Sequence, residues 1–246
     1  MSIRDSHDPY DSAAIAAMRA DTQFGDAARV FLEKTFEYGY YRNFTWLGRP
    51  VIQYPQDVVA LQELIWSYKP TLVVETGVAH GGALILYASI MELIGGKGEV
   101  LGIEIEYREH NKAAIAEHPL ARRIEVIEGS SIAPEVLASV RKRAAAHERI
   151  MVVLDSYHTH EHVLEELKLY SPLVRKGGPL IVFGTSVATL GASADIHRPW
   201  NQERNPKSAL DEFLKQNGRF TVNRELNDKL LLTDAPDGYL VCTEDP

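Results

Sequence analysis

The segment 155–162 concentrates side chains that could move a proton or bind a metal. It holds one aspartate and three histidines, namely Asp155, His158, His160 and His162. An imidazole titrates near neutral pH, so His158 could accept the proton of a substrate hydroxyl as a general base, with Asp155 facing the same cleft. Histidine and carboxylate groups also bind divalent metals. The alternative is that Ser156 or Thr159 caps a helix and that the histidines are simply exposed.

A glycine-rich turn at 75–82 could bind a nucleotide-like ligand. Its residues are Glu75, Thr76, Gly77, Val78, Ala79, His80, Gly81 and Gly82. Small residues let a ligand approach the backbone, and a helix that begins here offers unpaired N–H donors. Glu104 ends the next predicted strand, where a carboxylate can accept both hydroxyls of a ribose. The alternatives are a glycine-rich turn without a ligand and a solvent-exposed acid.

The order of residues in this turn distinguishes between cofactors. It lacks the G-x-G-x-x-G register of dinucleotide-binding turns and the lysine of a phosphate-binding loop. It fits E-x-G-x-[GA]-x-G, the pattern of class I methyltransferases, whose cofactor is S-adenosylmethionine (SAM). A nicotinamide-dependent oxidoreductase is therefore the less favoured alternative.

Apolar runs alternate with stretches of helical period from residue 70 onward. The runs predict strands at 71–75, 100–105, 124–127, 150–154 and 180–183. The stretches between them predict helices at 82–94, 110–117, 134–147 and 161–173. Buried strands that alternate with helices are typical of a doubly wound α/β fold with a mostly parallel, Rossmann-like sheet. Segments 229–233 and 239–242 flank a short turn and predict a C-terminal antiparallel hairpin.

Residues 1–55 are predicted to form an N-terminal arm and helical extension, and residues 56–246 a SAM-dependent methyltransferase domain. The extension contains a predicted helix at 26–41 and an ordered loop at 43–54. Five aromatic residues lie on this helix: Phe31, Phe36, Tyr38, Tyr40 and Tyr41. They could cover a neighbouring subunit in a homo-oligomer, or they could pack onto their own domain.

Composition narrows the classes of function. The 246 residues carry 26 Lys and Arg against 34 Asp and Glu, and the net charge of −8 disfavours general binding to nucleic acid or anionic membranes. Cys242 is the single cysteine, which excludes a disulfide framework or a cysteine-based metal site within one chain. No apolar stretch approaches the roughly 20 residues of a membrane span, and the N-terminus lacks the pattern of a secretion signal. We therefore expect a cytoplasmic protein with a small-molecule substrate.

Seven blocks of the chain follow the order found in one known family. They are WLG at 46–48, VVETGVAHGGALILYAS at 73–89, GIEIEYREHN at 102–111, EHPLARRIEVIEGSS at 117–131, LDSYHTHEHVLEELKLYSPLV at 154–174, NP at 205–206 and GYL at 238–240. Through these blocks the chain resembles the cephalosporin hydroxylase/rhamnosyl O-methyltransferase family of SAM-dependent enzymes. The resemblance covers roughly residues 46–240, and the D-S-x-H-T-x-x-H-V-L-x-E-L block is its specific part.

The resemblance implies a class I methyltransferase fold, SAM as cofactor and often a Mg²⁺ ion near the substrate hydroxyl. By position, the SAM turn is matched by Glu75, Gly77, Ala79 and Gly81, the ribose acid by Glu104, and the loop near the adenine by Ser130 and Ser131. The predicted cofactor site is completed by Val78, His80, Gly82, Ile105 and Asp155. Asp155 also matches the first metal carboxylate, and His158 stands where the similar catechol-type O-methyltransferases have a lysine.

The chain departs from the family after the fifth predicted strand. Family members usually carry one or two acids there, whereas this chain has Phe183, Gly184 and Thr185. Gly184 stands where a metal-binding aspartate is expected. Because Mg²⁺ needs carboxylates beyond a single aspartate, we expect a metal that is weakly bound or absent.

These observations predict one function and leave two alternatives from other classes. We expect a SAM-dependent O-methyltransferase that acts on a hydroxyl of a sugar or glycosylated natural product, in natural-product or polysaccharide biosynthesis, with His158 as the base. One alternative is a catalytically silent SAM-binding partner or accessory subunit of a hydroxylase. The other is the nicotinamide-dependent oxidoreductase. Contacts to the acceptor are expected from loops 40–55 and 186–205.

Overall fold

The computed structural model describes residues 11–190 and 198–245. In chain order its elements are α1 (Ser12–Ala20), α2 (Thr22–Glu37), β1 (Thr45–Trp46), β2 (Arg49–Pro50), α3 (Pro55–Tyr68), β3 (Leu72–Thr76), α4 (Gly82–Ile94), β4 (Glu99–Glu104), α5 (Glu109–Ala116), β5 (Ile124–Glu128), α6 (Pro134–Ala144), β6 (Ile150–Leu154), α7 (His160–Tyr170), β7 (Pro179–Val182), α8 (Pro206–Gln216), β8 (Phe220–Val222), α9 (Arg224–Lys229) and β9 (Tyr239–Cys242). Residues 1–10 of the predicted arm and part of loop 186–205 lie outside the described residues. None of the helices in the described part of the chain has the length and apolar character needed to cross a membrane.

Seven strands form one sheet in the order β5-β4-β3-β6-β7-β9-β8. Strands β3 to β7 are parallel to one another, and β9 runs antiparallel to both β7 and β8. The predicted parallel strands are confirmed to within one residue at each end, and the helices between them to within three. The doubly wound α/β fold with a mostly parallel, Rossmann-like sheet is therefore confirmed.

Different helices cover the two faces of the sheet. From β3, Val73 packs with α3 and α4 on one face, while Leu72 and Val74 pack with α6 and α7 on the other. Both β3 and β6 are buried along their whole length. Strands buried on both faces must be almost entirely apolar, which is why the sequence marks them so clearly.

The N-terminal helices differ from the prediction. The helix predicted at 26–41 is α2, which begins earlier, at Thr22, and ends at Glu37. Its start is set by the Asp21 side chain, which accepts a hydrogen bond from the Phe24 N–H. Gly39 follows its end with a φ of +61°. The separate helix α1 lies in the segment predicted as an arm.

The C-terminal part of the sheet is antiparallel, as predicted, but β9 pairs with β7 and β8 and not with the segment 229–233. Because α9 lies between β8 and β9, the predicted short-turn hairpin does not form. That strand prediction is wrong, because this segment starts in the last residue of α9 and then follows an irregular path. The Thr233 hydroxyl and the Asp234 N–H both donate to Asp57, a buried carboxylate of α3. This long-range anchor holds the segment away from the sheet, and its local run of leucines gives no sign of it.

A short hairpin of β1 and β2 lies inside the predicted loop 43–54. Its turn residues Leu47 and Gly48 both have positive φ, as a two-residue hairpin turn requires. The hairpin packs on the start of α4, where a Cβ atom added to Gly82 would come within 2.1 Å of the Pro50 carbonyl oxygen. The N-terminal extension is therefore in direct contact with the glycine-rich turn.

Candidate functional site

Two adjoining cavities open at the carboxyl ends of the parallel strands. The larger cavity has a volume of about 660 Å³ and the smaller cavity about 400 Å³. Both are lined by Gly77, Ala79, Asp155 and Ser156. The larger cavity extends toward the N-terminal extension, and the smaller one lies against the ends of β4 and β5. Ligands of open α/β sheets bind at this edge.

The glycine-rich turn separates the two cavities and is tightly packed. A Cβ atom added to Gly77, whose φ is +87°, would lie 2.0 Å from the Asp155 carbonyl oxygen. Ala79 has a φ of +48°. Beside the turn, Glu104 Oε2 accepts the N–H groups of Val78 and Ala79, each at 2.9 Å. The predicted ribose acid therefore stabilises the turn that it borders.

A clamp from the N-terminal extension holds the outer side of this turn. Arg49 donates to the His80 carbonyl at 2.6 Å and to Asn111 Oδ1 at 2.8 Å. The Asn111 side chain in turn donates to the Ala79 carbonyl at 2.8 Å. His80 itself lines the larger cavity, and Gly81 leads into α4. Sequence reasoning missed this clamp, because Arg49 and Asn111 are 62 positions apart and no local motif marks them.

Glu75 brings an unpaired carboxylate oxygen to the larger cavity. Its side chain is buried, and the Tyr87 hydroxyl donates to Oε1 at 2.7 Å. The other oxygen, Oε2, has no hydrogen-bond partner among the residues that the structure describes. Burial raises the pKa of Glu75 well above its usual range, and the Tyr87 hydrogen bond partly offsets this. A donor on a bound ligand, such as an ammonium group, would satisfy Oε2.

The buried carboxylate of Glu166 organises the smaller cavity. The Ser131 and Ser156 hydroxyls donate to its Oε1 at 2.6 and 2.7 Å. His162 Nε2 lies 3.1 Å from Ser131 Oγ, and the Tyr157 ring packs edge-on against the His162 ring. The same cavity is lined by seven residues predicted for the cofactor: Gly77, Ala79, Glu104, Ile105, Ser130, Ser131 and Asp155. Glu166 was not predicted, although its place in the specific sequence block marks it.

His158 and Asp155 form a hydrogen-bonded pair in the larger cavity. The distance from His158 Nε2 to Asp155 Oδ1 is 3.1 Å, and Gln53 donates to Asp155 Oδ2 at 2.9 Å. The His158 ring also packs against Trp200, with 5.3 Å between the ring centroids. Burial lowers the pKa of His158, but the hydrogen bond and charge of Asp155, with two further carboxylates, raise it above its usual value.

One of those further carboxylates, Asp234, lies beside Gly184; the other is Glu166. Asp234 Oδ2 accepts the Gly184 N–H at 2.8 Å, and Oδ1 accepts the Ser186 hydroxyl at 2.6 Å. Burial raises the pKa of Asp234 to about 6, while the charge of His158 acts in the opposite direction. Sequence reasoning missed Asp234, because it comes from the turn before β9, 50 positions from Gly184.

The three histidines of the segment 155–162 lie in three different places. His158 lines the larger cavity and His162 the smaller one. His160 packs against α8, where its Nδ1 lies 2.8 Å from Ser208 Oγ and its Nε2 3.2 Å from Glu212. The fold therefore does not bring them together as one cluster, and Thr159 precedes α7 without a side-chain cap.

The surroundings of Asp155, the predicted metal ligand, do not fit a divalent cation. Within residues 11–190 and 198–245, no group of three or more His, Cys, Asp or Glu side chains is arranged to hold one. Gly184 offers no side-chain oxygen, and both Asp155 oxygens already meet nitrogen groups, from Gln53 and His158. Because Mg²⁺ and Ca²⁺ require several oxygen ligands, we assign no chemical step to a metal.

The outer part of the larger cavity is aromatic and basic. Its lining includes Phe36, Tyr41, Arg42, Tyr54, Arg198 and Trp200. The Trp200 indole N–H is buried and meets no acceptor among the described residues. Aromatic faces with a few directed donors suit a polar ring that carries hydroxyl groups. Both predicted acceptor loops, 40–55 and 186–205, contribute to this lining, although 191–197 lies outside the described residues.

Comparison with known proteins finds similarity in both sequence and fold. Residues 38–243 match the family model described as Rhamnosyl O-methyltransferase/CmcI. The rhamnosyl O-methyltransferase of Mycobacterium leprae is 32% identical over 151 residues, which are 58% of this chain and 63% of that protein. The rhamnosyl O-methyltransferase of Mycobacterium tuberculosis strain H37Rv is 30% identical over 215 residues, which are 82% of this chain and 81% of that protein.

A solved structure of CmcI with magnesium and SAM has the same fold. Its TM-score is 0.60 at 15% identity, and the match covers 82% of this chain and 77% of that one.

Proposed function

Because the chain belongs to the Rhamnosyl O-methyltransferase/CmcI family of SAM-dependent O-methyltransferases, we propose that it transfers the methyl group of SAM to a hydroxyl of a sugar. The observation that carries this proposal is the pair of cavities that meet at Gly77 and Asp155. The smaller cavity suits a nucleoside, and the larger cavity suits a hydroxylated ring. Asp155 lines both cavities, and its hydrogen-bond partner His158 lines the larger one.

The residues of the smaller cavity and the turn fit SAM. When bound, SAM supplies a methyl group on a positively charged sulfur. Glu104 would accept the ribose hydroxyls, and Ser131 with His162 would border the adenine. The unpaired Oε2 of Glu75 would accept the ammonium group of the methionine part. Gly77 would leave room for the reacting centre, because its missing side chain keeps the backbone accessible.

His158 would accept the proton of the acceptor hydroxyl. Its Nε2–H donates to Asp155, so the neutral ring carries its lone pair on Nδ1. With SAM bound, the acceptor oxygen would form a bond to the methyl carbon as the carbon–sulfur bond breaks, and the hydroxyl proton would pass to His158. Asp155 would stabilise the protonated ring, and Gln53, which donates to Asp155, would keep that carboxylate in place. The remaining contribution to the rate of methyl transfer would come from the alignment of the methyl donor and the acceptor hydroxyl.

A rhamnosyl group is the first acceptor to test, because the two mycobacterial relatives carry that name. The aromatic lining of the larger cavity and the unpaired Trp200 N–H support a sugar ring as the acceptor.

We also propose that residues 1–55 act together with the domain that follows. Two side chains of this extension, Arg49 and Gln53, reach the site directly. The five aromatic residues around α2 divide between two environments: Phe36 and Tyr41 line the larger cavity, while Phe31, Tyr38 and Tyr40 are exposed. The three exposed residues support the predicted homo-oligomer, which size-exclusion chromatography with light scattering would test.

Two measurements test the proposed function. Calorimetric titration with S-adenosylhomocysteine (SAH), the product of methyl transfer, should show one site with an affinity on the order of micromolar. Transfer of labelled methyl from SAM to rhamnosides and other glycosides should then identify the acceptor. Binding without transfer to any of them would favour the silent SAM-binding partner. Binding of NADH in place of SAH would favour the oxidoreductase and overturn the proposal.

A further inference from the structure

The His158 ring fills the space beside Gly184. A Cβ atom added to Gly184 would lie 2.6 Å from both Cε1 and Nδ1 of His158 and 3.0 Å from its Cγ. These distances are shorter than any van der Waals contact between such atoms. A side chain at position 184 and the His158 ring in its present place therefore exclude each other.

The oxygens of Asp155 are engaged with nitrogen groups rather than open to a cation. Gln53 donates to Oδ2 at 2.9 Å, and His158 Nε2 lies 3.1 Å from Oδ1. Turning the Gln53 amide over would set its oxygen against the carboxylate, so its N–H side is held toward Asp155. The Gln53 side chain is also buried, which keeps water from taking over this contact.

Asp234 borders the same cavity, but its oxygens are engaged as well. They accept the Gly184 N–H at 2.8 Å and the Ser186 hydroxyl at 2.6 Å, and so hold the loop that follows β7. Two carboxylates thus face the larger cavity near His158, and each is hydrogen-bonded through both of its oxygens.

From this arrangement we propose that the acceptor site of this chain works without a divalent cation, because the His158 imidazole occupies the volume that an acidic metal ligand at position 184 would need. The inference rests on the proposed methyl transfer and specifies how the acceptor hydroxyl is activated. The CmcI structure of the same fold contains magnesium with SAM. In this chain, the proton acceptor itself stands in the place of the acid.

Binding of Mn²⁺ tests this directly, with free Mn²⁺ measured by electron paramagnetic resonance in the presence of SAH. Four proteins are compared: wild type, Asp155→Asn, Gly184→Asp and the double variant His158→Ala/Gly184→Asp. We expect wild type and Asp155→Asn to leave the same amount of Mn²⁺ free. The double variant should bind Mn²⁺ at least about tenfold more tightly than wild type, because a carboxylate at position 184 can join Asp155 once the His158 ring is removed. Gly184→Asp alone should show a smaller gain in Mn²⁺ affinity, because the His158 ring still blocks the new side chain.

Two results would overturn the proposal. One is a single equivalent of Mn²⁺ bound by wild type and lost in Asp155→Asn. The other is a double variant that shows a native circular dichroism spectrum and binds SAH, yet gains no Mn²⁺ site. If the double variant does not fold, the comparison of wild type with Asp155→Asn still decides. SAH titration of the same samples tests the proposed function separately, since a chain that binds no SAH contradicts methyl transfer whatever it does with Mn²⁺.

Discussion

The two cavities are built in different ways. The smaller cavity takes its walls from strand ends that are neighbours in the sheet, including the turn 75–82 and the segment 129–131. The larger cavity depends on side chains that are far apart in the chain. Gln53 reaches Asp155 across 102 positions, and Asp234 reaches the Gly184 N–H across 50. Cofactor recognition in this chain therefore follows from the fold itself, whereas acceptor chemistry depends on how distant loops meet on it.

The largest expected effect distinguishes the role of the larger cavity in methyl transfer from that of the smaller cavity in cofactor binding. Replacing His158 by alanine should lower the rate of methyl transfer about 10²- to 10⁴-fold, because the proton acceptor is lost. SAH affinity should change little, since His158 lines only the larger cavity. The rate and the calorimetric affinity should be measured on the same preparation.

His110→Ala is the matched control for this variant. His110 is exposed and lines neither cavity, so its replacement should leave both quantities unchanged. A His158→Ala protein as active as wild type would remove His158 from the proposed chemistry.

A substitution in the shared turn should impair both cavities at once. Gly77→Ala places a Cβ atom 2.0 Å from the Asp155 carbonyl oxygen at a φ of +87°. Strain of about 1–3 kcal/mol would weaken SAH binding about 5- to 150-fold in calorimetry. Gly218→Ala is the control, because an added Cβ meets nothing within 4 Å there. Wild-type SAH affinity in Gly77→Ala would show that the turn is less tightly packed than described.

A third prediction concerns Asp57, which anchors the loop that brings Asp234 to the larger cavity. Burial raises the pKa of Asp57 from 3.8 to about 7, although three hydrogen-bond donors oppose the shift. The folded state therefore holds this proton more tightly than the unfolded state. Its stabilising contribution is complete below pH 3.8 and is lost as the pH rises through about 7. Between about pH 5 and about pH 7, this group should lower the free energy of unfolding by about 2 kcal/mol.

Urea denaturation at both pH values gives the free energy of unfolding of wild type and of Asp57→Asn. The contribution of Asp57 is the extra decrease in this free energy from about pH 5 to about pH 7 that wild type shows over the variant. An equal decrease in both proteins would mean that Asp57 does not hold a proton in the folded state near neutral pH. The loop anchor would then be an ionised carboxylate.

The smallest expected effect is a shift in the pH profile of the larger cavity. His158 must be neutral to accept a proton, so kcat/KM should rise with pH through its pKa. Burial lowers that pKa, while Asp155, Asp234 and Glu166 raise it. Asp234→Asn removes one of these charges, so the rise should move to lower pH. The control is Glu212→Gln, which also removes a carboxylate charge. Glu212 lies on α8 and contacts His160, and it is not among the charges that act on His158. An unchanged or upward-shifted profile in Asp234→Asn would contradict the charge coupling.

The sheet could be predicted because its signal is local. Strands such as β6 are apolar runs of buried residues, and the helices between them carry a regular apolar period. The segment 229–233 has the same local signal, yet Asp57 holds it outside the sheet. The start of α2 was also missed, because the Asp21 cap outweighs the period of the residues that follow it.

The candidate site shows the same division. The turn 75–82, Glu104 and Ser131 could be proposed from sequence, since each lies next to the end of a predicted strand. Gln53 and Asp234 could not, because neither belongs to a motif.

The sequence alone therefore determined the order of the five parallel strands and of the helices between them, the glycine-rich turn at the first strand end, and the absence of an acid at position 184. These follow from residue types and from spacing over a few positions. Only the tertiary structure decided what fills the place of that acid, which groups hold Asp155, and where each of the three histidines lies. The reason is physical: a side-chain contact between loops 50 or 102 positions apart leaves no period in the chain and arises only when the folded sheet brings those loops together.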